Sequence, residues 1–171
     1  MLWFIGGGFR FVCSFNVSDT AFGSTCQQFY GLAGQTTDLA YGGAGTTAVS
    51  ALVNIIGLGS DAADTNLQIM HNDATGVATK IDLGASFPAN RTAGAAMTTV
   101  YSVILYCAPA ASTVSYQVIN QETGAVATGT LSTNLPLATQ GLNIFASRAM
   151  GSPLTGTGQF DLNRLSCYSL M

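Results

Sequence analysis

Residues 66–84 read NLQIMHNDATGVATKIDLG, two runs of alternating polarity on either side of a cluster of turn residues. Leu67, Ile69 and His71 share one face of the first run, and Asn66, Gln68, Met70 and Asn72 share the other. In the second run Val77, Thr79, Ile81 and Leu83 point one way, and Ala78, Lys80 and Asp82 the opposite way. A period of two marks half-buried strands. Between the runs, Asn72, Asp73 and Thr75 bring side chains that hydrogen-bond their own backbone, and Gly76 tolerates positive φ, so the segment predicts a β-hairpin.

The same signal recurs along the chain. Strands are expected at 9–17, 27–33, 52–59, 66–72, 77–83, 99–107, 113–120, 125–131, 141–147 and 160–168, with Gln121-Glu122-Thr123-Gly124 as a second hairpin turn. Near Arg164 the alternation slips, since Phe160 and Leu162 are followed by Leu165 and Cys167, which predicts a bulge. Runs with three-to-four spacing are short and broken by Gly, Thr or Pro, so no helix is expected. Ten short strands with turn chemistry between them predict an all-β, antiparallel two-sheet sandwich. The run 101–107 is apolar on both faces and is expected to be covered on both sides, the second cover coming from a neighbouring subunit. Three long connections, 34–50, 84–98 and 148–159, are rich in Gly, Ala and Thr. Such connections on a rigid scaffold are where binding usually resides.

A chain of 171 residues reads as a single domain, 1–171, long enough to bury a sizeable core. Charged residues make up 8% of it, far below the roughly one quarter of ordinary soluble domains. The five basic residues, Arg10, Lys80, Arg91, Arg148 and Arg164, are scattered and outnumbered by eight acidic ones, which argues against a nucleic-acid partner. Mean hydropathy is positive. Even so, no apolar run approaches the roughly 18–20 residues of a spanning helix, and no membrane insertion is expected. The opening MLWFIGGGFRF lacks the charged start of a secretory signal, and strand character begins almost at once, as if further chain preceded Met1. Cys13 follows Phe9 and Phe11 on one strand face, and Cys107 follows Val103 and Leu105 on another, where a thiol acts as a small hydrophobe. With Cys26 and Cys167 they are expected to be buried free thiols, and none sits in a CxxC zinc pattern.

The segments FRFVCSFNVSD (9–19), QQFYGLAG (27–34), IIGLGSDAADTNLQIMHND (55–73), ATKIDLGASFPAN (78–90) and VSYQVINQETGAVATGTLSTNLP (114–136) resemble, in order and with short gaps, a domain found at the end of bacteriophage tail-fibre and related virion proteins. That domain is similar in architecture to the concanavalin A-like lectins. The resemblance implies a jelly-roll sandwich forming the distal part of a longer fibre protein. Its implied partners are itself as a homotrimer, other virion proteins and a host-surface receptor or glycan. It also implies location in a virion assembled in the host cytoplasm. A head-fibre or capsid-decoration protein is the first alternative, and a carbohydrate-binding module of a bacterial secreted protein the second.

The residues argue against catalysis. Glycoside hydrolysis usually needs two carboxyl groups flanking the scissile bond. Glu122 is the only Glu and lies in a hairpin turn, and Asp82 has Lys80 for a strand neighbour. His71 is the only histidine, and its face is shared with Leu67 and Ile69, the setting of a half-buried structural imidazole. No catalytic residue, cofactor or metal is assigned. Asp61, Asp64, Asn66, Asn72 and Asp73 are close in sequence, but their spacing is not that of an EF-hand and suits ordinary turns. Glycan recognition would use a ring for the apolar face of a sugar and polar groups for its hydroxyls. Tyr41, Asn90, Arg91 and Arg148, in the three long connections, are the candidates.

Overall fold

The ten expected strands form, their ends shifted by at most a few residues: β1 (Phe9–Val17), β2 (Gln27–Ala33), β3 (Ile55–Ser60), β4 (Gln68–Asn72), β5 (Thr79–Asp82), β6 (Val100–Cys107), β7 (Val114–Asn120), β8 (Val126–Leu131), β9 (Asn143–Ala149) and β10 (Phe160–Ser169). The structure, a computed structural model, describes residues 5–18, 26–34, 48–90, 99–149 and 160–170. Helical geometry among them is confined to two three-residue 3-10 turns, Ile5–Gly7 and Val49–Ala51.

The strands make two antiparallel five-stranded sheets, sheet I in the order β10-β1-β6-β7-β8 and sheet II in the order β5-β4-β3-β2-β9. Both hairpins form where turn chemistry places them, β4 with β5 and β7 with β8. Gly76 and Gly124 take φ of 75° and 73° in those turns, which a side chain would resist. The slip near Arg164 is a bulge: Ser14 pairs with Arg164 and Phe15 with Leu162, leaving Asn163 as the extra residue.

The inward faces meet in one core. Phe9, Phe11, Cys13 and Phe15 of β1 pack with Tyr30 and Leu32 of β2, Ile56 and Leu58 of β3, and Val103 and Leu105 of β6. Phe15 and Tyr30 stack across the interface with centroids 3.6 Å apart, and the ring of Phe160 stands edge-on to Tyr30 at 5.3 Å. Buried thiols occur as expected at Cys13, Cys26 and Cys107, all free, and free Cys167 is half-buried. Burial pushes the Cys13 and Cys167 thiols up to about 12 and raises that of Cys107.

Within the chain, two-sided cover is found on sheet II. In β6, Tyr106 is exposed and Ile104 half-buried on the outer side, so among the described residues none covers that face fully. In β4 every residue is buried. The half-buried reading of the hairpin's first strand is thereby corrected. Residues 48–52 lie against the outside of sheet II, where Val49 and Leu52 form a second cluster with Phe29, Ala33, Ile55, Met70 and Ala78. Ala78 N–H donates to Ser50 O at 2.8 Å, and Asn72 Nδ2 to Leu52 O at 2.8 Å, tying this layer down. Gly31, Gly57 and Gly59 make room for it: the Phe29 ring occupies the space their side chains would fill.

Candidate functional site

One end of the sandwich gathers three connections, whereas 34–50 leaves from the opposite end, where Ala33 pairs with Ile55 and Asn143. Val17 pairs with Phe160 and Asn16 with Val100, so β1 ends where β6 and β10 begin. Gln27 pairs with Ala149, so β2 begins where β9 ends. The connections after β1, after Asn90 and after β9 therefore all leave from this end. The chain enters β1 at Phe9, beside Cys107 and Ser169, at the opposite end.

The end is held by a polar cluster inside the rim of the core. Arg148 pairs with Gln28, and Gln28 with Ser60, so the three residues share the inward face of sheet II. Arg148 Nη1 donates to Gln28 Oε1 at 2.8 Å, and Nη2 donates to Asn90 Oδ1 at 3.2 Å. Gln28 Oε1 also accepts from Tyr30 Oη at 3.2 Å, while Gln28 Nε2 donates to Ala89 O at 2.6 Å and Ser60 Oγ at 3.2 Å. All four capacities of the Gln28 amide are thus used, as a fully buried amide requires. Ala89 N–H donates to Thr65 O at 2.9 Å and Leu67 N–H to Phe87 O at 2.7 Å, so the chain leading to Asn90 is paired with residues 65–67, just before β4.

The structure thus brings two of the four expected site residues together, Asn90 and Arg148. Arg148 is not in a loop: it lies on β9 and is 8% exposed. Strand pairing with Gln28 turns its side chain into the sandwich, so it braces Asn90 instead of facing outward. Tyr41 and Arg91 lie outside the described residues. Gln28 and Ser60 escaped the sequence reading, although a Gln inside the otherwise apolar run QQFYGLA is a signal that could have found one of them.

The other polar groups serve the scaffold. His71, 2% exposed, directs Nδ1 at Asn134 O, 3.0 Å away. A carbonyl only accepts, so Nδ1 carries the proton. Asn134, at φ 49°, donates Nδ2 to Thr79 Oγ1 at 3.0 Å and His71 O at 3.3 Å, and accepts the Asp73 N–H at 3.0 Å. Lys80 spans Asp61 at 3.1 Å and Asp64 at 2.6 Å. Burial alone would raise the Asp61 carboxyl, but hydrogen bonds from Ser50 and the Lys80 ammonium hold it below its ordinary value. These two carboxylates, weighed above as turn residues, thus bind a lysine. Asp82 accepts from Asn66 Nδ2 at 3.0 Å and from the Gly84 N–H at 2.7 Å, and Glu122 accepts from Thr99 Oγ1. Each is used in a turn.

A scan against protein-family models finds no match, and a sequence search of curated proteins finds none either. Among solved structures, the fold is similar to that of peanut lectin, in a structure with a nine-residue peptide (PVIWSSATG), with a TM-score of 0.52 and 17% identity, covering 94% of this chain and 68% of that one. The chain therefore has the two-sheet architecture of a lectin-like, concanavalin A-like jelly-roll sandwich.

Proposed function

We propose that this chain is a non-enzymatic recognition domain, of the tail-fibre type, in a bacteriophage virion, and that it contacts a host-surface receptor or glycan. The carrying observation is the polarity of the sandwich. The chain enters at one end, and the connections after β1, after Asn90 and after β9 leave from the other, beside the Arg148–Gln28–Asn90 cluster. A stalk joined at Phe9 would point those connections away from the particle. The lectin-like architecture supports a saccharide as ligand, as analogy of fold. The sequence resemblance supports the virion. Buried free thiols fit assembly in a reducing cytoplasm better than a secreted module.

The test is binding of the purified domain to host cells and to an array of bacterial surface glycans. Asn90→Ala and Arg91→Ala should each weaken capture at least tenfold. Arg148→Met should weaken it together with a loss of thermal stability, because it acts by positioning Asn90. Hydrolysis of any captured glycan, abolished by Glu122→Gln or Asp82→Asn, would overturn the non-enzymatic reading.

A further inference from the structure

The outer face of sheet I carries a row that none of the foregoing uses. Tyr168, Arg10, Tyr106 and Ser115 are directly opposite one another on β10, β1, β6 and β7, and Thr130 continues the row on β8. Directly paired residues point to the same side of a sheet, so all five side chains project outward together. All five are exposed, Tyr168 at 52% and Tyr106 at 46%. Adjacent strands lie about 4.8 Å apart, which sets the two tyrosines about 10 Å apart with Arg10 midway between them.

We propose that this row is a binding site for a carboxylated saccharide, with the Arg10 guanidinium on the carboxylate and the Tyr106 and Tyr168 rings against the apolar faces of the flanking sugar residues. Charge complementarity selects the occupant. Positions directly and diagonally opposite Arg10 hold Tyr168, Ser166, Leu170, Tyr106, Ile104 and Ala108, none of them acidic. Arg164 projects from the same face beside Ser14, adding a second positive charge. The carboxylate on this face, Asp161, pairs with Asn16, six residues along β1 from Arg10 and so about 20 Å away, and it accepts from Asn16 Nδ2 at 3.1 Å. A guanidinium takes a carboxylate through two parallel N–H donors, a geometry that a neutral sugar hydroxyl cannot match. Ser115, Thr130 and, one row further, Gln117 and Thr128 supply hydroxyl and amide partners along the same face. The site is on a sheet face, whereas the connections of the proposed receptor contact leave from the sandwich end, so the two can be tested apart.

The experiment titrates the isotope-labelled chain with oligosaccharides of galacturonate, glucuronate and sialate, and with their methyl esters, and follows Tyr and Arg side-chain resonances. The expected result is perturbation of Tyr106, Tyr168 and Arg10 by at least one acid. Its affinity should fall at least tenfold with Arg10→Met or with esterification, and several-fold with Tyr106→Ser or Tyr168→Ser. It should not change with Asn90→Ala, and unchanged melting temperatures should show that the variants fold. Three results would each overturn the site: equal binding by Arg10→Met, equal binding of the ester, or no response to any of the acids at millimolar concentration. Sedimentation showing a dimer that is abolished by Tyr106→Ser would instead assign the face to a second copy of the chain. Loss of receptor capture alone, with acid binding intact, would refute only the sandwich-end reading.

Discussion

At the residue scale, a few polar side chains hold segments that strand pairing cannot reach. Asn134 ties the chain after β8 to β4, to the turn after it and to β5, through His71, Asp73 and Thr79. Replacing it with Ala removes several bonds at once and leaves the half-buried Asp73 N–H without its acceptor. Chemical denaturation of Asn134→Ala should show a loss of about 2–3 kcal/mol. Asn134→Gly, which keeps the positive φ, should lose slightly less. The thiols make a second residue-level prediction. Cys13 and Cys167 are raised from the ordinary 9.0 to about 12 by burial, so the fold favours their protonated form. That contribution is intact below about pH 9 and is lost as pH rises from there through about 12. The melting temperature should therefore fall steeply between pH 9 and 12. Cys13→Val should flatten the fall, and a profile identical to that of the parent would show that Cys13 plays no part in it.

At the element scale, the chain itself covers the outer side of sheet II. Covering β2, β3 and β4 on the outside needs space above the strands, and Gly57 supplies part of it. A Cβ there would stand 2.6 Å from Tyr30 O, 2.7 Å from the Phe29 ring and 2.8 Å from the Gly31 Cα. Backbone on two sides cannot move aside, so Gly57→Ala should cost about 1–3 kcal/mol in a denaturant titration. The Lys80 bridge fastens β5 to the turn after β3. Lys80→Met leaves two half-buried carboxylates facing each other, and about 1–2 kcal/mol should be lost at neutral pH. In the parent, the contribution of Asp61 is complete above its ordinary value of 3.8 and is lost as pH falls through its lowered one. The difference between parent and variant should therefore shrink in acid, as seen in melts from pH 7 to pH 2.

At the scale of the whole molecule, the homotrimer that the sequence resemblance implies is open to a direct test. Leu162 and Leu165 of β10 are 43% and 39% exposed on its inward side, at the edge of sheet I. Val126 is 55% exposed on the outer face of β8. Light scattering should give about three times the 17.6 kDa chain mass. A mass of one chain across micromolar concentrations would refute the trimer and favour a decoration protein or a free module. Circular dichroism of the same sample should be β-dominated, in keeping with the two short 3-10 turns.

The sequence by itself determined the ten strands, both hairpins and the bulge beside Arg164. Each rests on chemistry within a few neighbouring residues: alternation of polarity, a glycine at positive φ, one residue too many in a register. It also placed Cys13, Cys107 and His71 on buried faces, because the faces of a strand follow from its period. Tertiary structure alone decided which faces are covered. The apolar run 101–107 keeps Tyr106 exposed, while the outwardly polar face of β4 is sealed, because the covering layer at 48–52 comes from a distant part of the chain. It also turned Arg148 inward, since no local pattern says that its cross-strand partner is a buried glutamine. The alignment of Tyr168, Arg10 and Tyr106 has the same origin: three strands remote in sequence meet only when sheet I closes, and their register then sets two rings on either side of one charge.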